Sequence, residues 1–228
     1  MPCPSWNLLA VAVVSALLMT GCSSSNEPTI PSAGSATGSN DRSLASPAPT
    51  APAAPSYQIL SKPALTEALL GVQGLPPGYS QDAPSPANAN KTFCNYKPPF
   101  TEKVYVSREF TKGAGLSAEI LRVGLRQYAD SKQAKAAFDA LTDALQTCTK
   151  ETYQGTKLTY APMSAAKVGD ASVGVKIAAG NITLLQNYAL AGPTLVSTGG
   201  GGLMNANADE ISNLLGDQVK AYDTAALQ

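Results

Sequence analysis

The chain has no histidine, no excess of either charge, few aromatic residues and no apolar run of twenty. With zero His among 228 residues, Ser-His-Asp and Cys-His catalysis, imidazole metal ligation and histidine pH switching are all excluded. Lys and Arg number 16 against 16 Asp and Glu, so no polybasic face for nucleic acid or an anionic membrane surface is expected. Aromatic residues make up only 6% and the one tryptophan is Trp6, so stacking platforms for bases or sugars are expected to be sparse. A length of 228 residues allows one ordinary domain with appendages, and hardly two.

What is present begins at the N-terminus. Residues 8–19 read LLAVAVVSALLM, an apolar run of twelve. That is short for a bilayer span and the right length for the apolar core of a signal peptide. It runs into Met19-Thr20-Gly21-Cys22. This resembles the bacterial lipobox, in which a bulky apolar residue and two small ones precede a cysteine. The preceding segment MPCPSWN carries no Lys or Arg, and Met19 stands where Leu is usual. The resemblance implies that residues 1–21 are removed, and that Cys22 carries a diacylglyceryl (palmitate-type) anchor as the first mature residue. The protein is then expected at the cell membrane, lipid-anchored on its extracytoplasmic face, with the membrane as a partner through Cys22.

Cys3 would leave with the signal peptide, which leaves Cys94 and Cys148 in the mature domain. A pair of cysteines in an exported chain reads as one disulfide. It would close a loop of about 55 residues, worth roughly 4 kcal/mol by loop entropy. A redox pair needs closer spacing, and a thiolate metal site needs more ligands. No metal and no cofactor is expected.

Residues 22–56 hold the lipidated Cys22 and a Ser, Pro and Ala stretch whose only charges are Glu27, Asp41 and Arg42. Such a composition cannot build a core and reads as a disordered tether. As a coil of 34 residues it would lift a domain about 30 Å from the membrane. Residues 57–228 then form a single domain with 15 Lys and Arg against 14 Asp and Glu, long enough to bury a full core.

Within the domain, 63–70 predicts a short helix with Pro63 in its first turn and Leu65, Leu69 and Leu70 apolar. LPPGY at 75–79 is a turn, and 80–90 a polar loop. Residues 103–112 predict a strand with Val104, Val106 and Phe110 on one face, and 119–129 a second with Leu121, Val123 and Leu125 alternating. Gly113-Ala114-Gly115 joins them as a hairpin. Asp130 caps a helix whose apolar face is Ala134, Ala137, Phe138, Leu141, Leu145 and Cys148. Strands are expected at 158–161, 171–178 and 182–190, with a short edge strand at 194–197. The run Gly199–Gly202 reads as a flexible connector to a last helix, capped by Asn207 and striped by Ile211, Leu214, Leu215, Val219 and Tyr222. The fold class is therefore α+β: an antiparallel sheet of about five strands with helices packed on it and one disulfide.

The lipobox, the Ser/Pro/Ala stalk, LPPGY and the two cysteines around a central helix together resemble a family of actinobacterial cell-envelope lipoproteins with a kinase-sensor-like domain. Its reference domain is the extracellular sensor of the PknH-type mycobacterial kinases. The likeness spans roughly Lys62 to Leu227. The chain departs from the PknH pattern in having one cysteine pair instead of two, and no tryptophan in the domain. The resemblance implies binding of an envelope ligand (lipid, glycan or peptide) in a cleft of the sheet.

For chemistry of its own the chain offers little. The glycine run lacks the Lys and spacing of a phosphate loop. Asp139 and Asp143 lie on the solvated face of the central helix. Glu102 and Glu109 are expected on opposite strand faces, which leaves no carboxylate pair for hydrolysis. Asn90-Lys91-Thr92 and Asn181-Ile182-Thr183 match the glycosylation pattern by coincidence. Arg108, Arg122 and Arg126 would gather on one sheet face if their strands pair, and could meet an anionic headgroup. The alternative for the three is a solvated polar face of a half-buried sheet. The expectation is a non-catalytic protein that binds or senses an envelope ligand. The runner-up is an adaptor that docks an envelope protein, with no nucleic acid partner in either case.

Overall fold

Alternating apolar residues dominate from Val104 onward, and they build one antiparallel sheet. The computed structural model describes residues 56–84, 93–202 and 206–228. The signal peptide, Cys22, the tether up to residue 55 and Asn90 lie outside the described residues. In chain order the elements are α1 (Lys62–Glu67), β1 (Ser80–Gln81), a 3-10 turn at Phe93–Asn95, β2 (Val104–Lys112), β3 (Glu119–Gln127), α2 (Ser131–Thr147), β4 (Lys150–Tyr153), β5 (Thr156–Met163), β6 (Ala171–Ala179), β7 (Ile182–Ala191), β8 (Thr194–Gly202) and α3 (Ala208–Ala226). The strands order as β1-β2-β3-β8-β7-β6-β5-β4, every neighbouring pair antiparallel. The class is α+β as expected, but the sheet has eight strands, not about five.

The added strands have local causes. β1 is two residues long, pairing Ser80 with Thr111 and Gln81 with Phe110. β4 reads KETY, with no apolar alternation to mark it. Its hairpin with β5 is turned by Gln154 and Gly155, both at positive φ (48° and 79°), the backbone that a tight hairpin needs. The largest correction concerns β8. Thr194–Ser197 is no edge strand, and the glycines after it are no loose connector. β8 runs through Gly202 in the middle of the sheet, between β3 and β7.

Strands with side chains on alternate faces need cover on both. On one face α1 and α3 pack over Val106, Phe110, Leu121, Val123, Leu125, Leu185, Ala189 and Val196. The expected α3 stripe of Ile211, Leu214, Leu215, Val219 and Tyr222 is entirely buried there. On the other face α2 lays Leu141 and Leu145 over Tyr160, Val175 and Ile177, and Ala134, Ala137 and Phe138 over Leu190 and Leu195. Each fully buried Leu, Ile or Phe contributes about 1.5–3 kcal/mol of gross hydrophobic stabilisation. The helix starts are fixed as the capping residues predict: Asp130 accepts from the Gln133 N–H, and Asn207 from those of Asp209 and Glu210. Among the described residues the apolar clusters fall within 57–226.

The glycine run has a packing reason. A Cβ on Gly200 would overlap Ile211 and Leu121, and one on Gly201 would overlap the Thr183 carbonyl oxygen. Side chains there would push α3 off the sheet or break the β7–β8 ladder. Gly201→Ala is expected to cost about 2 kcal/mol, the scale of an overpacked core. Gly216→Ala, in α3 with nothing within 4 Å of the new methyl, is expected to stabilise by about 0.5–1 kcal/mol. Urea midpoints of the two variants, moving in opposite directions, check the pair.

Cys94 and Cys148 form the disulfide, with Cα atoms 5.6 Å apart. It ties the 3-10 turn to the C-cap of α2. The turn seats Phe93 edge-on against Tyr160 and Tyr188, with centroids 5.4 and 6.3 Å apart. At the other end of the domain two buried glutamines hold the N-terminal segment. Gln127 accepts from the Leu60 N–H and donates to its carbonyl, and Gln218 does the same for Leu70 N–H and the Ala68 carbonyl. The chain ends meet there too, with Tyr57 bridged to Leu227. No helix among the described residues is long and apolar enough to cross a membrane.

Candidate functional site

α2 covers β5, β6 and one end of β7 and β8, and leaves the rest of its face open. In register, the uncovered rows are Tyr105, Ser107 and Glu109 on β2; Ile120, Arg122, Gly124 and Arg126 on β3; Ser197, Gly199 and Gly201 on β8; and Ile182, Leu184 and Gln186 on β7. This open face is the first candidate site.

The β2–β3 pairing does not gather the three arginines. Arg122 and Arg126 share the open face, four residues apart on β3, but Arg108 pairs with Val123 and stands on the opposite one. There its guanidinium donates to the carbonyls of Leu69 at 2.6 Å, Leu70 at 3.1 Å and Thr66 at 3.1 Å. The Thr66 carbonyl also accepts from the Leu69 N–H, whereas those of Leu69 and Leu70 follow the C-cap Ala68 and lie outside the helix ladder. Arg108 therefore terminates a helix instead of meeting a headgroup. Arg108→Leu is expected to cost about 2 kcal/mol by leaving those acceptors unpaired. Faster amide exchange confined to α1 and the following turn would check it.

The two remaining arginines are each matched by a carboxylate. Arg126 donates to Glu102 at 2.6 Å, and Arg122 lies 3.8 Å from Glu109. Glu102 and Glu109 thus reach the same face, because Glu102 precedes β2 and is free of its alternation. Arg126 also lies over the Tyr105 ring, 4.6 Å from its centroid. Around this pair sits a tyrosine cluster that composition alone did not reveal. Burial holds the Tyr96, Tyr128 and Tyr188 phenols above their ordinary value, Tyr128 at about 12, while the Arg126 charge pulls each back. Tyr188 donates to Gln186 at 2.7 Å and Tyr96 to the Ala137 carbonyl. A side-chain-free strip separates the β3 and β7 rows: Gly199 lies between Arg122 and Gln186, and Gly201 between Ile120 and Leu184. The Gln186 and Leu184 side chains lean over these glycines. At that end Ile120, Ile182 and Leu184 are 42%, 40% and 39% exposed.

A groove of about 530 Å³ opens beyond Ile120 and Gly201, against the start of α3. Tyr79, the tyrosine of LPPGY, lies in it with its phenol between Glu119 at 3.2 Å and Glu210 at 3.3 Å. Lys112 pairs with Glu119 and sits 5.4 Å from the Tyr79 ring centroid. Burial first, then the two carboxylates, keep the Tyr79 phenol protonated well above its usual range. A single phenolic proton serves two carboxylates here, an arrangement built to stay neutral and hold the turn. Among the described residues no three His, Cys, Asp or Glu side chains cluster as metal ligands.

No protein-family model matches the chain, and no curated protein does. Among solved structures, it is similar to the crystal structure of the extracellular domain of PknH from Mycobacterium tuberculosis. The TM-score is 0.57 at 10% sequence identity, over 74% of this chain and 100% of that domain. The likeness is one of fold.

Proposed function

We propose that this protein is a lipid-anchored envelope protein whose domain, on the outer side of the cell membrane, binds a ligand on the open sheet face. The observation that carries the reading is that face itself. It is a sheet surface left bare by α2 and lined by Tyr105, Gln186 and two matched Arg–Glu pairs, and its Ile120 and Gly201 also line the 530 Å³ groove. A surface serving only stability would be covered or lined by plain solvated residues. The fold shared with the extracellular domain of PknH and the lipobox-like sequence at Cys22 support the location. Nothing on the face supplies a nucleophile with an adjacent base, and the proposal is binding without catalysis.

The test has two arms. Metabolic palmitate labelling of the full chain against Cys22→Ala is expected to lose all label in the variant. Labelling that persists would overturn the anchor. For the ligand, the full chain is purified from its membranes and its organic extract is analysed beside native mass spectra. A stoichiometric small molecule that raises Tm on add-back is expected.

A second reading has one observation of its own. Leu116 is 74% exposed at the same sheet end as Ile120, Ile182 and Leu184, an apolar edge suited to a docking protein. An empty extract together with a single crosslinked envelope protein would favour that adaptor role.

A further inference from the structure

Resting on the binding reading, we infer that the ligand of the open face is an amphiphile: an uncharged, hydroxyl-rich head joined to an alkyl chain. The face divides into two halves along its strands. The half beside α2 offers Tyr105, Gln186, Tyr188, Ser197 and the pairs Arg126–Glu102 and Arg122–Glu109. Two guanidinium groups balance two carboxylates, so a charged headgroup gains a counter-ion only by breaking an existing pair. Hydroxyl groups both donate and accept. They match carboxylate acceptors, guanidinium donors and the Gln186 amide at once, without displacing either ion pair. Charge complementarity therefore selects a neutral polyol head.

The other half is apolar. Gly201 lies between Ile120 and Leu184, with Ile182 beyond, while Gly199, between Arg122 and Gln186, marks the border with the polar half. The Leu184 side chain leans over Gly201 toward Ile120, so these residues form an exposed apolar patch on which an alkyl chain can lie. Ile120 and Gly201, at the end of this patch, are shared with the lining of the groove. A head without a chain would leave this patch wet, and a chain without a head would leave the tyrosine and arginine half unused.

The test uses the domain 56–228, which holds the apolar clusters of the described residues, titrated with alkyl maltosides below their micelle-forming concentrations. Tyrosine fluorescence and amide NMR shifts are the readouts. Maltose is expected to bind weakly. Affinity should rise from hexyl to octyl to decyl maltoside, by up to about fourfold per methylene, with shifts centred on Ile120, Leu184, Gly199 and Gly201. Ile120→Ser with Leu184→Ser, both at exposed positions, should abolish the chain-length dependence and keep the weak maltose response. Equal binding of decyl sulfate or decyltrimethylammonium, or no dependence on chain length in the wild type, overturns the inference. A co-purified ligand on this face that is a peptide or a chain-free sugar also overturns it, while the binding reading stands. If only a protein partner is captured and nothing small binds, both fall.

Discussion

Raising the pH past 10 is expected to unfold the domain in one transition, with tyrosinate absorbance and loss of secondary structure moving together. Tyr79, Tyr128, Tyr160 and Tyr222 are each at most 7% exposed. Burial is the leading reason that all four phenols are held above their ordinary value. Nearby carboxylates add to it, and for two of the four they accept the phenol's hydrogen bond: Glu210 and Glu119 beside Tyr79, and Glu151 beside Tyr160. In the unfolded chain a phenol loses its proton near pH 10, whereas in the folded chain it keeps it. Above pH 10 the unfolded state therefore binds fewer protons, and stability falls as pH rises. The contribution is whole below the unfolded value and is lost between there and the folded value, about 12 for Tyr128. Each tyrosine accounts for on the order of 1.4 kcal/mol per pH unit in that window. Four together match a marginal domain's stability of about 5–15 kcal/mol within two or three units. Since Trp6 precedes the domain, the absorbance change is tyrosine alone. Tyrosinate absorbance amounting to all nine tyrosines, reached with circular dichroism unchanged, would contradict this account.

Replacing both cysteines by serine, Cys94→Ser with Cys148→Ser, is expected to cost about 4 kcal/mol. The sequence separation of 54 sets the unfolded-state entropy that the crosslink removes. Folded-state packing is at stake as well. Cys94 sits at φ 43°, a conformation unfavourable for a residue with a side chain, and the bond to Cys148 holds it there. Without the bond the turn is freed to leave, taking Phe93 off Tyr160 and Tyr188. The urea midpoint should fall and the slope rise, because the unfolded chain without its crosslink exposes more surface, and amide exchange should rise first around Phe93 and at the end of α2. A midpoint unchanged by the double substitution would show the turn to be held by its aromatic contacts alone.

The parts of this fold that were legible in the sequence are those where local preference and tertiary demand agree. The α2 and α3 stripes and their Asp130 and Asn207 caps are of this kind. So are β2, β3 and β6, where Val104, Val106 and Phe110, Leu121, Val123 and Leu125, and Val173, Val175 and Ile177 recur at every second or fourth position, and β7 as a long apolar run. β4 was hidden because an exposed edge strand needs no apolar side chains, and KETY has only the Gln154-Gly155 turn to betray it. β8 was hidden for the opposite reason. Glycine is a poor strand former, and its place at the sheet centre follows from the nearness of Ile211, Leu121 and the Thr183 carbonyl, contacts that no local pattern encodes. The site failed in a similar way. Arg108 differs from Arg122 and Arg126 by strand parity, which needs the register, and the tyrosine cluster draws its members from β2, β7, the end of β3 and the 3-10 turn.

The meeting of the first and last residues of the described domain gives it a handle and a working end. Ser56 and Gln228 exchange backbone hydrogen bonds, and Tyr57 packs against the Gly192 turn between β7 and β8. From Thr194, beside that turn, seven ladder steps lead to Gly201, about 24 Å away. Whatever is attached at either terminus, whether an acylated leader, an affinity label or a sensor chip, hangs from the same corner. The glycine strip and its groove face away from that corner, so immobilising the domain by its C-terminus leaves them accessible to a soluble probe.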